Sequence, residues 1–173
     1  FVSKEAFNID GFGKKIVESF WYKNLIKLPQ DIFNLDYNKI GKMDGWGRKS
    51  VSNLKYSIDL KTNISFERFI YALGIRHIGL ENAKLISRHL KSPNNLLTLL
   101  ASDKLNELLN LDGIGETQIN SIKNFFSNKT NLKVINILLK ILSIKDSIEV
   151  KKNGLLKNKI FMFTGKLDGI SRA

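Results

Sequence analysis

Four short stretches of this chain repeat one pattern, and that repeat limits the fold more than any other feature. They are IDGFGKKIVESF from Ile9, MDGWGRKSVSNL from Met43, LGIRHIGLENAKLI from Leu73 and LDGIGETQINSI from Leu111. Their second glycines stand at 13, 47, 79 and 115, in steps of 34, 32 and 36 residues. A nearly constant step of that size marks a unit of one helical pair, stacked on copies of itself. In each unit an apolar residue precedes the first glycine, another usually stands between the glycines, and apolar residues at helical spacing follow, as in Ile16, Val17 and Phe20 or Ile119, Ile122 and Phe126. The pattern predicts a helix opening at each second glycine. Helical patterns also precede the turns, over 65–70 before the third and from Ser102 or Asp103 as an N-cap before the fourth. Pro29 and Pro93 fall where connecting turns or first helical turns are expected. Alternating strand patterns are missing until the last twenty residues, so the body is expected to be all-α.

A Gly-x-Gly turn opening a helix has a definite physical use. Glycine carries no Cβ, so an anion can reach the main-chain amides that the first helical turn leaves without partners. The partial positive charge at the helix N-terminus adds attraction. Lys14 and Lys15 follow the first turn and Arg48 and Lys49 the second, where they can reach neighbouring phosphates; Glu81 with Asn82 and Glu116 with Thr117 follow the third and fourth, whose grip must rest on backbone. Arg76 and His77 lie inside the third turn, and Arg76 is a candidate for phosphate or minor-groove contact. A solvated arginine and a plain helix connector are the bland readings of these features.

Charge agrees with a polyanionic partner. The 173 residues hold 28 Lys and Arg against 16 Asp and Glu, a formal net charge of +12. A chain so basic meets nucleic acid by releasing counterions from phosphates, although a Lys-rich coding bias would give the same balance. Other chemistry is poorly supported. Cysteine is missing, which excludes disulfides and thiolate zinc sites within these residues, and His77 and His89 have no clustered carboxylates, so no metal site is expected. Asp10, Asp44 and Asp112 precede a glycine in three copies; repetition argues for a shared structural task, accepting hydrogen bonds from nearby amides, rather than catalysis. Lys42 in KMDG resembles the adenylated lysine of nucleotidyl transferases, but its surroundings are helical and recur without the lysine, so no covalent role is assigned to it. No apolar run approaches a membrane span and the start FVSKEAFNID is not a signal peptide, which reads as cytoplasmic. The Phe start and the ending GISRA suggest a piece of a longer chain.

The repeated units resemble helix-hairpin-helix motifs, and the whole chain resembles the part of bacterial NAD-dependent DNA ligases that follows the zinc finger. FVSKEAFNIDGFG, ERFIYALGIRHIG, LDGIGE and FMFTGKLDGISR carry the resemblance. It implies tandem helix-hairpin-helix repeats, four hairpins in two paired units at 1–62 and 63–142, then a linker and the truncated start of a BRCT domain at 143–173, with a β-like tail around Lys159 to Thr164. It further implies DNA-backbone contacts at Gly11, Gly13, Gly45, Gly47, Gly74, Gly79, Gly113 and Gly115, beside Lys14, Lys15, Arg48, Lys49, Arg76 and Thr117. Duplex DNA, nicked in use, and the other domains of the ligase would be the partners of a monomeric chain. NAD, magnesium and zinc are implied for the intact enzyme, none for these residues, and no catalytic residue is expected here. A free-standing DNA-holding module of a repair nuclease or junction-binding protein shares the hairpins, and a helical protein scaffold would leave them as connectors. Leu25, Ile26, Phe33, Phe69, Leu73, Leu85, Leu108 and Leu138 are expected in the core, and Trp46 is expected to be tucked into it.

Overall fold

The computed structural model describes residues 1–102 and 104–147. Eight α-helices carry the described fold: α1 (Lys14–Tyr22), α2 (Tyr37–Ile40), α3 (Arg48–Leu60), α4 (Phe66–Ala72), α5 (Leu80–Leu90), α6 (Pro93–Ala101), α7 (Glu116–Ser127) and α8 (Lys129–Ile141). Two 3-10 helices, Pro29–Asn34 and Leu105–Asn110, complete the connections. The expected all-α repeat architecture is what the chain adopts, and α1, α3, α5 and α7 each start one residue after a second glycine.

Pro29 and Pro93 open their helices, positions where a missing N–H costs nothing and a fixed φ helps. Ser92 caps α6 by accepting from the Asn95 amide, and Asn128 caps α8 by accepting from Thr130 and Asn131. Ser102 does not open a helix. It closes α6, its hydroxyl donating to the Leu99 carbonyl, and the next element is a 3-10 turn that begins at Leu105. Six residues suffice for that turn because Leu105 and Leu108 bury together while the polar residues between them stay in water.

The core runs through both halves. In the first, Phe1 stacks on Phe7 at 4.3 Å between ring centres, Phe7 meets Phe33 edge-on at 5.5 Å, and Phe12 meets Phe20 likewise at 5.5 Å. Such pairs add stabilisation beyond the area they bury. In the second half Phe66, Phe69, Ile70, Ile86, Leu108, Ile119, Ile122 and Leu138 are buried. Of the expected core, Ile26, Phe69, Leu108 and Leu138 are buried, whereas Leu25, Phe33 and Leu73 are half-buried at its edge. Leu85 is also half-buried, because it lies under the fourth turn rather than inside α5's packed face.

A side chain on α4 ties the second half to the first. The Arg68 guanidinium on α4 donates to the carbonyls of Ala6, at 2.7 Å, and Lys4. Strand β1 (Asn63–Ser65) pairs in parallel with β2 (Ser143–Lys145), Asn63 opposite Ser143 and Ile64 opposite Ile144, extended by Ser143 N–H to the Thr62 carbonyl at 2.8 Å. The strand at 143–145 therefore packs on the second unit. Three residues are too few to show an alternating pattern, so the sequence gives no sign of it. The β-like tail expected at Lys159 to Thr164 lies outside the described residues, as does Asp103.

Candidate nucleic-acid interface

Each repeat forms one tight corner by the same means. An N–H donates back across three residues from Phe12 to Ile9 at 3.2 Å, Trp46 to Met43 at 3.1 Å, Ile78 to Ile75 at 3.1 Å and Ile114 to Leu111 at 3.0 Å. The residue before each donor has positive φ: Gly11 at 72°, Gly45 at 79°, His77 at 62° and Gly113 at 94°. That is the third position of a type II turn, where glycine is the comfortable choice. The apolar residues on either side anchor the corner. Ile9 and Phe12, and Ile75 and Ile78, are buried, and Ile114 is buried beside half-buried Leu111. The two residues between the anchors are thereby turned into solvent.

The third corner corrects the alignment of the repeat. Gly74 is not the counterpart of Gly11; it follows the last turn of α4 at φ 68°, its amide donating to the Tyr71 carbonyl at 3.1 Å, and it ends that helix. His77 holds the corner position. It stands two residues before Gly79, the interval of every other copy, and that interval was the signal in the sequence. Left-handed backbone costs a side-chain-bearing residue roughly 1–2 kcal/mol, and the Asn82 side-chain amide steadies the corner by donating to the His77 carbonyl at 3.2 Å.

The second glycines behave differently from the first. Gly13, Gly47 and Gly79 are N-caps at φ −79°, −94° and −80° with extended ψ, a conformation open to any residue. All three are exposed, and a Cβ at any of them would meet no atom within 4 Å. Among the described residues nothing asks for glycine there, and a Ser, Asp or Asn would cap the helix better. Among the described residues, the amides of Gly13, Lys14 and Lys15 find no acceptor, nor do those of Gly47, Arg48 and Lys49 or of Gly79, Leu80 and Glu81. Three bare helix N-termini thus face solvent with room for a ligand where a side chain would be.

The fourth corner is closed from within. The Gly115 amide donates to the Gln118 side-chain oxygen at 3.1 Å, and that oxygen lies 3.5 Å from where a Cβ would stand. Gly113 lies against α5, with Leu85 Cδ1 3.5 Å and Asn82 Oδ1 4.0 Å from a Cβ position, so it serves both the turn and the packing of corner four on corner three. Corners one and two are neighbours too: Asp10, Gly11, Trp46, Ser50 and Asn53 line one open cleft of about 470 Å³. Trp46 is half-buried there, its ring 5.5 Å from Phe20, so it is an edge of the core rather than part of its interior.

Charge divides the corners. Lys14, Lys15, Arg48 and Lys49 are exposed around the first two, and the one ion pair they make among the described residues, Lys14 with Glu18 at 3.8 Å, is solvent-exposed and weak. At the third, Glu81 stands in the first turn of α5 and pairs with Lys84 at 2.7 Å, while Arg76 projects from an exposed position without a partner among the described residues. At the fourth, Glu116 and Thr117 are exposed at the start of α7. Asp10, Asp44 and Asp112 are exposed and accept no hydrogen bond among the described residues, so they do not hold the turns; the backbone bond and the two anchors do that. Lys42 is exposed beside the second corner, and His89 is exposed in the last turn of α5.

The family profile described as a helix-hairpin-helix motif matches residues 68–135, spanning corners three and four. Along the whole chain, a protein named DNA ligase from Pelagibacter ubique (strain HTCC1062) is 66% identical over 173 residues, all of this chain and 26% of that protein. The chain belongs to the helix-hairpin-helix region of DNA ligases. Proteins of the same name from Rickettsia canadensis (strain McKiel) and Rickettsia massiliae (strain Mtu5) are 46% and 45% identical, over 99% and 100% of this chain and 27% of each relative. The chain spans about a quarter of the length of the curated relatives it matches.

Proposed function

We propose that this chain is the DNA-gripping segment of an NAD-dependent DNA ligase, holding the backbone of nicked duplex while chemistry proceeds elsewhere in the same enzyme. One observation carries the reading: three exposed N-cap glycines, in a backbone conformation that does not require glycine, with open space and unpaired amides in front of them. A phosphate oxygen fills that space, accepts from the amides and meets the positive end of the helix, and the missing Cβ is what lets it approach. Lys14, Lys15, Arg48 and Lys49 supply charge to neighbouring phosphates at the first two corners, and Arg76 supplies it at the third. None of these contacts reads a base edge, so the grip is indifferent to sequence.

The segment's contribution to catalysis is positional: fixing the two ends of a nick relative to the reacting groups removes part of the entropic barrier. The fourth corner, with its Gly115 amide taken by Gln118 and Glu116 and Asp112 nearby, packs against the third and contributes least to the grip. Gly74 acts as a helix terminator, outside the contact set. NAD, magnesium and zinc belong to the intact ligase. The described residues bring no three His, Asp or Glu side chains together as a cation site, so none is assigned to holding them. The chain is proposed to act as a monomer in the cytoplasm, joined to the remaining ligase domains; no described helix is long and apolar enough to cross a membrane.

Fluorescence anisotropy with labelled nicked and intact duplexes across a salt series tests the reading. The logarithm of affinity should fall with the logarithm of salt by about 0.9 per phosphate neutralised, equally for duplexes of different sequence. Affinity that ignores salt would remove the phosphate grip.

A further inference from the structure

The third corner bears an imidazole where the other three bear a hydrogen atom. His77 sits in left-handed backbone at φ 62°, at the place held by Gly11, Gly45 and Gly113 in the other copies. The fold gains nothing visible from the side chain. It is exposed, and among the described residues it makes no hydrogen bond, ion pair or ring contact. The bond that steadies the corner, from the Asn82 side-chain amide to the His77 carbonyl, uses only the main chain of His77 and would survive with glycine. A residue held in unfavourable backbone, with no internal return, points to use outside the fold.

We infer that His77 is a side-chain contact to the DNA backbone, its imidazole N–H donating to a phosphate oxygen beside the one gripped by the α5 N-terminus. This rests on the proposal that the corners meet duplex DNA. It also accounts for a local deficit. Corners one and two are each followed by two cations, whereas α5 opens with Leu80, Glu81 and Asn82, and Glu81 repels phosphate. A donor on the corner itself, next to Arg76, restores attraction at the one gripping helix that has no cation in its first turn.

His77→Gly separates this from a structural role, because glycine fits the corner better. Thermal unfolding should move up by a few degrees, as strain is relieved in a protein of this size. Duplex affinity, by anisotropy at fixed salt, should fall about tenfold, as for one hydrogen bond to a charged group. The loss should be equal on A·T-rich and G·C-rich duplexes. His77→Asn, which tolerates the left-handed turn and keeps a donor, should recover part of the affinity. Wild-type protein that fails to bind duplex would defeat the DNA-grip reading itself. Wild-type binding with His77→Gly unchanged, a lowered unfolding temperature, or a loss confined to A·T-rich duplex would each overturn the assignment of His77 to phosphate.

Discussion

Replacing Gly47 with serine should raise stability and lower DNA affinity together. The backbone there is already extended and the Cβ position is empty, so serine enters without strain. Its hydroxyl can accept from the Lys49 or Ser50 amide, the usual N-cap bond, an improvement of a few tenths of a kcal/mol over glycine. The lost freedom of the unfolded chain adds roughly 0.4–1 kcal/mol. The sum is about 1 kcal/mol, a rise of roughly 2–4 °C in unfolding temperature for a domain of this length. The same hydroxyl takes an amide that DNA would use, and its Cβ stands in the phosphate's path. Losing one hydrogen bond to a charged acceptor is worth about 1.5–3 kcal/mol, so affinity should drop about 10- to 100-fold. Differential scanning fluorimetry and anisotropy on the same preparation give both numbers. A raised unfolding temperature with unchanged affinity would refute the claim that these amides bind phosphate. A lowered one would show that Gly47 serves the fold in a way its geometry does not reveal.

Two other substitutions separate charge from backbone. Arg48→Glu should weaken duplex binding and reduce the slope of log affinity against log salt by about 1, read by the same salt titration; an unchanged slope would place Arg48 away from the backbone. Gln118→Ala removes the cap on the Gly115 amide and should cost about 1 kcal/mol of stability in urea denaturation, with no loss of duplex affinity, because corner four is packed rather than gripping.

Much of this was legible in the residues. The four helix starts at 14, 48, 80 and 116 follow directly from the second glycines, because the apolar pair around each corner and the helical spacing after it are local signals. The placement of the corners was less legible. Gly74 attracts attention as the nearest glycine, yet it ends α4, and the true corner residue is a histidine whose left-handed backbone no composition rule flags. The aspartates mislead in another way: a residue type common in turns invites a side-chain role, while here each turn is closed by main chain and flanked by apolar residues that are buried or half-buried. The capping of Gly115 by Gln118 has a sequence signature, a glutamine three residues after the cap, but with glycine at the cap only the structure shows that the bond occupies an amide otherwise available to phosphate. The pairing of β1 with β2 joins residues eighty apart and leaves no local trace.

The most direct measurement is a titration of isotopically labelled protein with duplex DNA, followed by amide chemical shifts in two-dimensional NMR. The largest changes should fall on the amides of residues 13–15, 47–49 and 79–81, while Gly115 changes little. Shifts concentrated on α6 or α8, with those nine amides undisturbed, would contradict the account.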